Sequence, residues 1–331
     1  MGTFFRNQRN FTRFAWFTLA FLILVVLWGA FVRATGSGAG CGSHWPLCNG
    51  VVIPRGVAVE TIIEFAHRIS SGLSGLFVLA MWLWAFRLYP KGHIVRKGAT
   101  LSLVFIITES LLGAGLVLFE WVAYNASVGR AISMSLHLIN TYLLLGAVTL
   151  TAWWASQTLA AGQTPAGHSH ALRLRGQGKV GWLVGGGLLL LLFLGVSGAV
   201  TALGDTLFPA GTLTEGISQD FAPTAHFLVR LRVYHPLVAI VTGIYLVLAS
   251  RAIAAERPGE ATRRLARVLL LVVAAQLVAG FVNVILLAPV WMQIIHLLLA
   301  DVMWIAAILL GATALSQEAA VEPQWLPQAG D

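Results

Sequence analysis

The chain has 331 residues, 58% of them apolar and only 10% charged, with 21 Lys and Arg against 13 Asp and Glu for a net charge of +8. So apolar a composition excludes a water-soluble globular domain and points to a polytopic membrane protein. The positive balance does not call for nucleic acid, because basic loops against anionic lipid account for it.

Runs long enough to cross a bilayer, about 20 residues each, fall near residues 12–33, 61–86, 99–121, 130–155, 180–202, 229–250, 265–287 and 290–314. The predicted fold is all-α, with eight transmembrane helices. The first run follows Arg6, Arg9 and Arg13 but is too long for a signal-peptide core, and Arg33 precedes any workable cleavage site, so it is expected to be retained. Eight spans put both termini on one side. The N-terminus and the segments 87–98, 156–179 and 251–267 hold most of the Lys and Arg. The positive-inside rule then predicts a multi-pass plasma-membrane protein with both termini cytoplasmic.

Cys41 and Cys48 follow the first run, in a glycine-rich loop on the opposite, extracytoplasmic side. An oxidising compartment favours a disulfide between them. Whether it is a staple or takes part in redox chemistry stays open, since sequence gives no reduction potential. The second run opens with Glu64-Phe-Ala-His67, carboxylate and imidazole three residues apart on one helix face. Glu64 is expected to face a cofactor and serve in proton transfer or in stabilising a cation. Orienting His67 or pairing with Arg68 are the blander roles. Glu109 lies in the third run, His137 in the fourth, His235 in the sixth, Gln276 in the seventh, and His296 and Asp301 in the eighth.

The runs repeat. Laying Gly29 over Gly198, the distance is 38 residues to His67 and 37 to His235; from there it is 42 to Glu109 and 41 to Gln276. The last interval, 70 residues to His137 against 61 to His296, leaves room for a longer loop near 120–129. Glu109-x-x-x-Gly113 also matches Gln276-x-x-x-Gly280. These offsets predict two tandem four-helix bundles related by a pseudo-two-fold axis along the membrane normal. The expected division is 1–156, a linker 157–179, then 180–316 and a tail 317–331.

Each half therefore holds two histidines at similar depth: His67 with His137, and His235 with His296. A histidine at membrane depth is costly and is a functional candidate by default. One alone is as well explained by a structural hydrogen bond. Four in register point to two sites, and paired imidazoles without a third ligand suit haem rather than zinc, which takes three or four. His44, His93, His168 and His170 are weaker candidates, while His226 competes with His235. Arg232 stands where Glu64 stands in the first half, which suggests chemistry at the first site and cofactor retention or electron transfer at the second.

With these residues in hand the chain resembles the haem A synthase family, membrane enzymes that oxidise the C8 methyl of haem O to a formyl group. The likeness rests on Val32-Arg-Ala-Thr-Gly-Ser-Gly-Ala-Gly-Cys41, Trp45-Pro-Leu-Cys48, Glu64-Phe-Ala-His67-Arg68, Ser135-Leu-His137, Gly280-Phe-Val-Asn and His296-Leu, and covers nearly the whole chain. It implies that His67 and His137 flank the substrate haem O, with Glu64 needed for activity. It implies that His235 and His296 ligate a resident haem b, so that all four histidines are iron ligands, and that Cys41 and Cys48 are the family's extracytoplasmic pair. Implied partners are haem O synthase and a quinone or other electron acceptor, with homo-oligomerisation open. Two departures stand out: residues 203–228 carry no second cysteine pair, and Tyr234-His235-Pro236 replaces the family's His-Arg.

Iron held by two imidazoles has no open position, which favours oxidation by electron removal over direct O2 binding. The competing readings are a dihaem quinol-oxidising cytochrome b and a haem transporter or chaperone.

Overall fold

A computed structural model describes residues 7–55, 58–160, 172 and 175–316. His168, His170, most of the expected linker and the tail lie outside the described residues. Ten α-helices are described: α1 (Gln8–Ala34), α2 (Val59–Leu88), α3 (Ile94–Leu118), α4 (Val128–Ala160), α5 (Gly178–Leu207), α6 (Leu213–Phe221), α7 (Phe227–Arg232), α8 (Tyr234–Glu256), α9 (Glu260–Ile285) and α10 (Val290–Leu315). Eight spans are long and apolar enough to cross a bilayer, α7 and α8 together forming one. The expected all-α fold with eight membrane helices is what the chain adopts. Side chains such as Leu24, Leu189, Leu271 and Phe281 face outward, as lipid rather than water requires.

Helix starts are capped where the sequence allows. Asn7 accepts from the Arg9 amide, Thr212 from Glu215, and the imidazoles of His93 and His226 from Val95 and Leu228. Two differences from the sequence reading concern length: α4 runs to Ala160 and α5 to Leu207, both past the predicted ends. A third is α6, which forms inside the segment expected to be loop.

Helix α1 packs on α2 and α4, and α3 bridges α2 and α4; α5 packs on α8 and α10, and α9 bridges α8 and α10. The seam between these groups is made by α4 against α5 and α10, and by α10 against α1. There Tyr142 and Trp304 stack at 5.0 Å, and the Trp304 indole donates to the Tyr142 carbonyl at 2.7 Å. Gly195 lets α5 close on α4: a β-carbon there would meet Leu138 at 2.8 Å and Tyr142 at 2.9 Å.

Candidate haem sites

Each of the four histidines lies against a glycine of a neighbouring helix. A β-carbon on Gly29 of α1 would stand 3.0 Å from His67 of α2, and one on Gly198 of α5 would stand 3.1 Å from His235 of α8. Gly280 of α9 stands likewise 3.1 Å from His296 of α10, and Gly113 of α3 stands 3.9 Å from His137 of α4. The glycines aligned between the two halves of the sequence thus make equivalent contacts. At three of the four, any side chain would push the ring.

In the second half the rings of His235 and His296 face each other with centroids 6.4 Å apart and planes at 87°. A ring nitrogen lies about 1 Å from its centroid and a metal–imidazole bond is about 2 Å, so two imidazoles sharing one metal stand about 6 Å apart. The pair has that spacing. Ser197 Oγ lies 2.9 Å from His235 Nδ1, fixing the ring and leaving Nε2 for a ligand. Gln276 Nε2 is 3.3 Å from His296 Nε2, while His296 Nδ1 is buried without a partner. The ring spacing fits a haem held between two imidazoles, with the Gln276 amide giving up its contact to His296 Nε2. His226 does not join them: it caps α7 and stacks on Phe208 at 4.8 Å.

In the first half His67, His137 and Glu109 lie within electrostatic range of one another. Glu109 Oε1 is 3.5 Å from His137 Nδ1, and its carboxylate accepts from Asn140 Nδ2 at 2.6 Å and from the Thr141 hydroxyl. His67 Nδ1 is buried with no partner. The carboxylate beside the pair is therefore Glu109. Its signal was present in the alignment of Glu109 with Gln276, since both residues touch the histidine of the next helix.

Glu64 points elsewhere. It is 4% exposed, and Oε2 accepts from the Cys41 amide at 2.8 Å while Oε1 accepts from Arg68 Nε at 3.0 Å and Nη2 at 2.5 Å. Arg68 Nη1 also donates to the carbonyls of His44 and Leu47, at 2.6 and 2.7 Å. Cys41 and Cys48 form a disulfide, so the carboxylate, the arginine and the closed loop are one unit seated on the start of α2. Gly40 permits that seat, because a β-carbon there would lie 2.5 Å from the Glu60 backbone.

Where the first half has Glu64, the second half has Arg232, whose counter-charges come from other elements rather than from its own helix. Arg232 pairs with Asp220 and, at 3.2 Å, with Asp205, and it donates to the carbonyls of Phe208 and Gly216. It ties α6 to the start of α8, three residues before His235.

Among the remaining candidates, Asp301 is fully buried with both oxygens unpartnered. His93 caps α3 and stacks on Tyr89 at 4.6 Å. Burial lowers its imidazole pKa below the usual value. Among the described residues no group of three or more His, Cys, Asp and Glu is placed to hold a metal ion.

The profile of a family described as cytochrome oxidase assembly protein, COX15-CtaA, matches residues 12–308. A Thermus thermophilus protein named protoheme IX farnesyltransferase is 56% identical over 306 residues, 92% of this chain and 48% of that protein. A heme A synthase of Halalkalibacterium halodurans is 45% identical over 112 residues, 34% of this chain and 38% of the relative. One of Geobacillus kaustophilus is 41% identical over 112 residues, 34% and 35%. The chain thus spans about half the length of the Thermus relative and little more than a third of the others.

Proposed function

The chain belongs to the COX15-CtaA family of cytochrome oxidase assembly proteins, and on that premise we propose that it is a haem A synthase, oxidising the C8 methyl of haem O to a formyl group. The observation that carries this reading is the 6.4 Å opposition of His235 and His296, each ring set against a glycine. The relatives named heme A synthase support it as well.

In this reading the protein is two tandem four-helix halves, 1–156 and 180–316, joined by 157–179 and followed by 317–331. His235 and His296 hold a resident haem b, and Ser197 fixes the His235 ring. When bound, that haem supplies one-electron transfer. His67 and His137 flank the substrate haem O. Glu109 sits beside His137 as an acceptor already held by Asn140 and Thr141, which sets the ring's orientation and steadies positive charge on it. Glu64, one turn from His67, keeps the disulfide loop seated over the first site through the Cys41 amide and Arg68, and its part in the reaction is exerted through that seat.

The cysteine-loop end faces the extracytoplasmic side, with both termini in the cytoplasm of a cell whose plasma membrane holds the protein. Electrons leave to a quinone or another acceptor. The Thermus relative names a farnesyl transfer to protohaem IX, and this chain matches nearly half of it. That supports a partnership with the enzyme that makes haem O.

The test is the haem extracted from purified protein, wild type beside Glu64→Gln. Haem b with smaller amounts of haem O and haem A is expected in the wild type, and haem O or a hydroxylated intermediate should build up in the variant. Two haem b per chain and nothing else in both proteins would refute the synthase and favour an electron carrier.

A further inference from the structure

Arg130 is a buried cation that no carboxylate among the described residues neutralises. It is 3% exposed, yet none of the ion pairs among the described residues includes it. Nη1 donates to the carbonyls of Ala123 and Asn125, at 2.5 and 2.8 Å, and Nε is buried with no partner at all. An uncompensated guanidinium at a membrane boundary is expensive, and its unmet donors call for an anion.

Its register says where that anion belongs. Arg130 precedes His137 by seven residues of α4, which is two turns, about 10 Å along the helix and on the same face. Arg33 stands one turn beyond Gly29, the residue against which His67 rests, and it lies within electrostatic range of Arg130. Arg33 is itself fixed: Nη1 donates to the Ala202 carbonyl and the Thr206 hydroxyl, both at 2.7 Å, and Nη2 to Gln293 at 2.8 Å. Two arginines thus converge at the cysteine-loop end of the first histidine pair. Asp205, the carboxylate within electrostatic range of Arg33, is engaged by Arg232, as is Asp220 beside it. Three guanidinium groups against two carboxylates leave one positive charge over, at Arg130.

We propose that Arg130, with Arg33 behind it, is the anchor for the carboxylates of a porphyrin held at His67 and His137, an inference that rests on the substrate-site reading above. Guanidinium groups suit this task because their parallel donors match a carboxylate. The consequence is positional selectivity. In haem O the C8 methyl shares a pyrrole ring with one propionate, so gripping the propionates at the loop end fixes where that methyl lies and keeps the farnesyl-bearing edge away from it. Arg130 then acts as a specificity residue that never touches the reacting carbon. The second half carries no arginine at the equivalent place, Pro289 standing seven residues before His296.

The probes are iron protoporphyrin IX and its dimethyl ester, titrated into the full-length protein. The signal is the part of the Soret change that disappears in the His67→Ala/His137→Ala variant. Wild type should bind the free acid more tightly than the ester. Arg130→Gln should weaken the acid by roughly 10- to 100-fold with little effect on the ester, and Arg130→Lys should recover part of the loss. Equal affinity of acid and ester in the wild type would overturn the anchor. So would an Arg130→Gln defect of the same size for both, since Arg130 would then only hold the 123–125 turn. The acid-to-ester comparison in the wild type decides the matter even if Arg130→Gln does not fold. Absence of any His67- and His137-dependent binding in the wild type would instead sink the substrate-site reading, a result distinguishable from the other two.

Discussion

Replacing Gly198 with alanine isolates what the glycine contact does for the second histidine pair. The added carbon would lie 3.1 Å from His235 Cε1. Carbon atoms rest at about 3.5–4.0 Å, so the ring must retreat by about 0.4–0.9 Å, against a tolerance of about 0.5 Å for a working ligand. That movement also strains the 2.9 Å contact with Ser197, the residue next to Gly198. A lost hydrogen bond costs about 1 kcal/mol and an off-rotamer imidazole about as much again. Together they should weaken haem retention roughly 30-fold. The helix itself should gain, because alanine is the better helix former by about 1 kcal/mol. The expected outcome is a protein that unfolds at the same temperature or higher yet releases haem b to apomyoglobin faster. Gly185→Ala is the control, since that glycine lies on the same helix and a β-carbon there meets nothing within 4 Å. Unchanged haem transfer and an unchanged reduced spectrum in Gly198→Ala would refute the view that the glycine sets the position of His235.

Glu109→Gln places in the first half the residue that the second half carries at Gln276, so the fold and the haem b content should survive. Removing the charge 3.5 Å from His137 Nδ1 should slow single-turnover oxidation of haem O by roughly tenfold; an unaltered rate would leave Glu109 a packing residue. For His93, burial holds the folded pKa below 6.5, so below about pH 6.5 the unfolded chain takes up protons that the folded chain does not. Thermal stability should therefore fall as the pH drops from about 7.5 to 5.5, and His93→Asn, which keeps a capping side chain, should flatten that part of the profile. The same slope in the variant would assign it to other groups.

The eight spans were legible because an apolar run of bilayer length has few other uses in a polypeptide. Helix α6 was not: nine residues carrying Glu215, Gln219 and Asp220 have no such run, and the helix is held by Arg232 at the end of the next one, α7. The pairing of His235 with His296 followed from repeat spacing, and the rings do face each other at 6.4 Å. What spacing alone does not give is the direction of a side chain. Glu64 and His67 share a helix face, yet the Glu64 carboxylate turns to the Cys41 amide and Arg68, because a buried amide at the closed loop and a guanidinium one turn on both need an acceptor. Glu109 and His137 lie 28 residues apart on different helices, so only tertiary packing brings them together.

The reversed charges at Glu64 and Arg232 bear on how a chain built from two similar halves avoids confusing them while it inserts. The cysteine loop presents the Cys41 amide and the His44 and Leu47 carbonyls, and so receives a helix start on which Glu64 and Arg68 already stand paired. The α6 segment presents Asp220 and recognises one that carries a guanidinium. Offered the wrong partner, the acidic segment would meet a Glu64 whose counter-charge is already supplied by Arg68 of the same helix, and Arg232 would meet a loop that offers no carboxylate. Each loop is thereby addressed to its own helix. That difference between the two helix starts lies one turn from His67 and from His235.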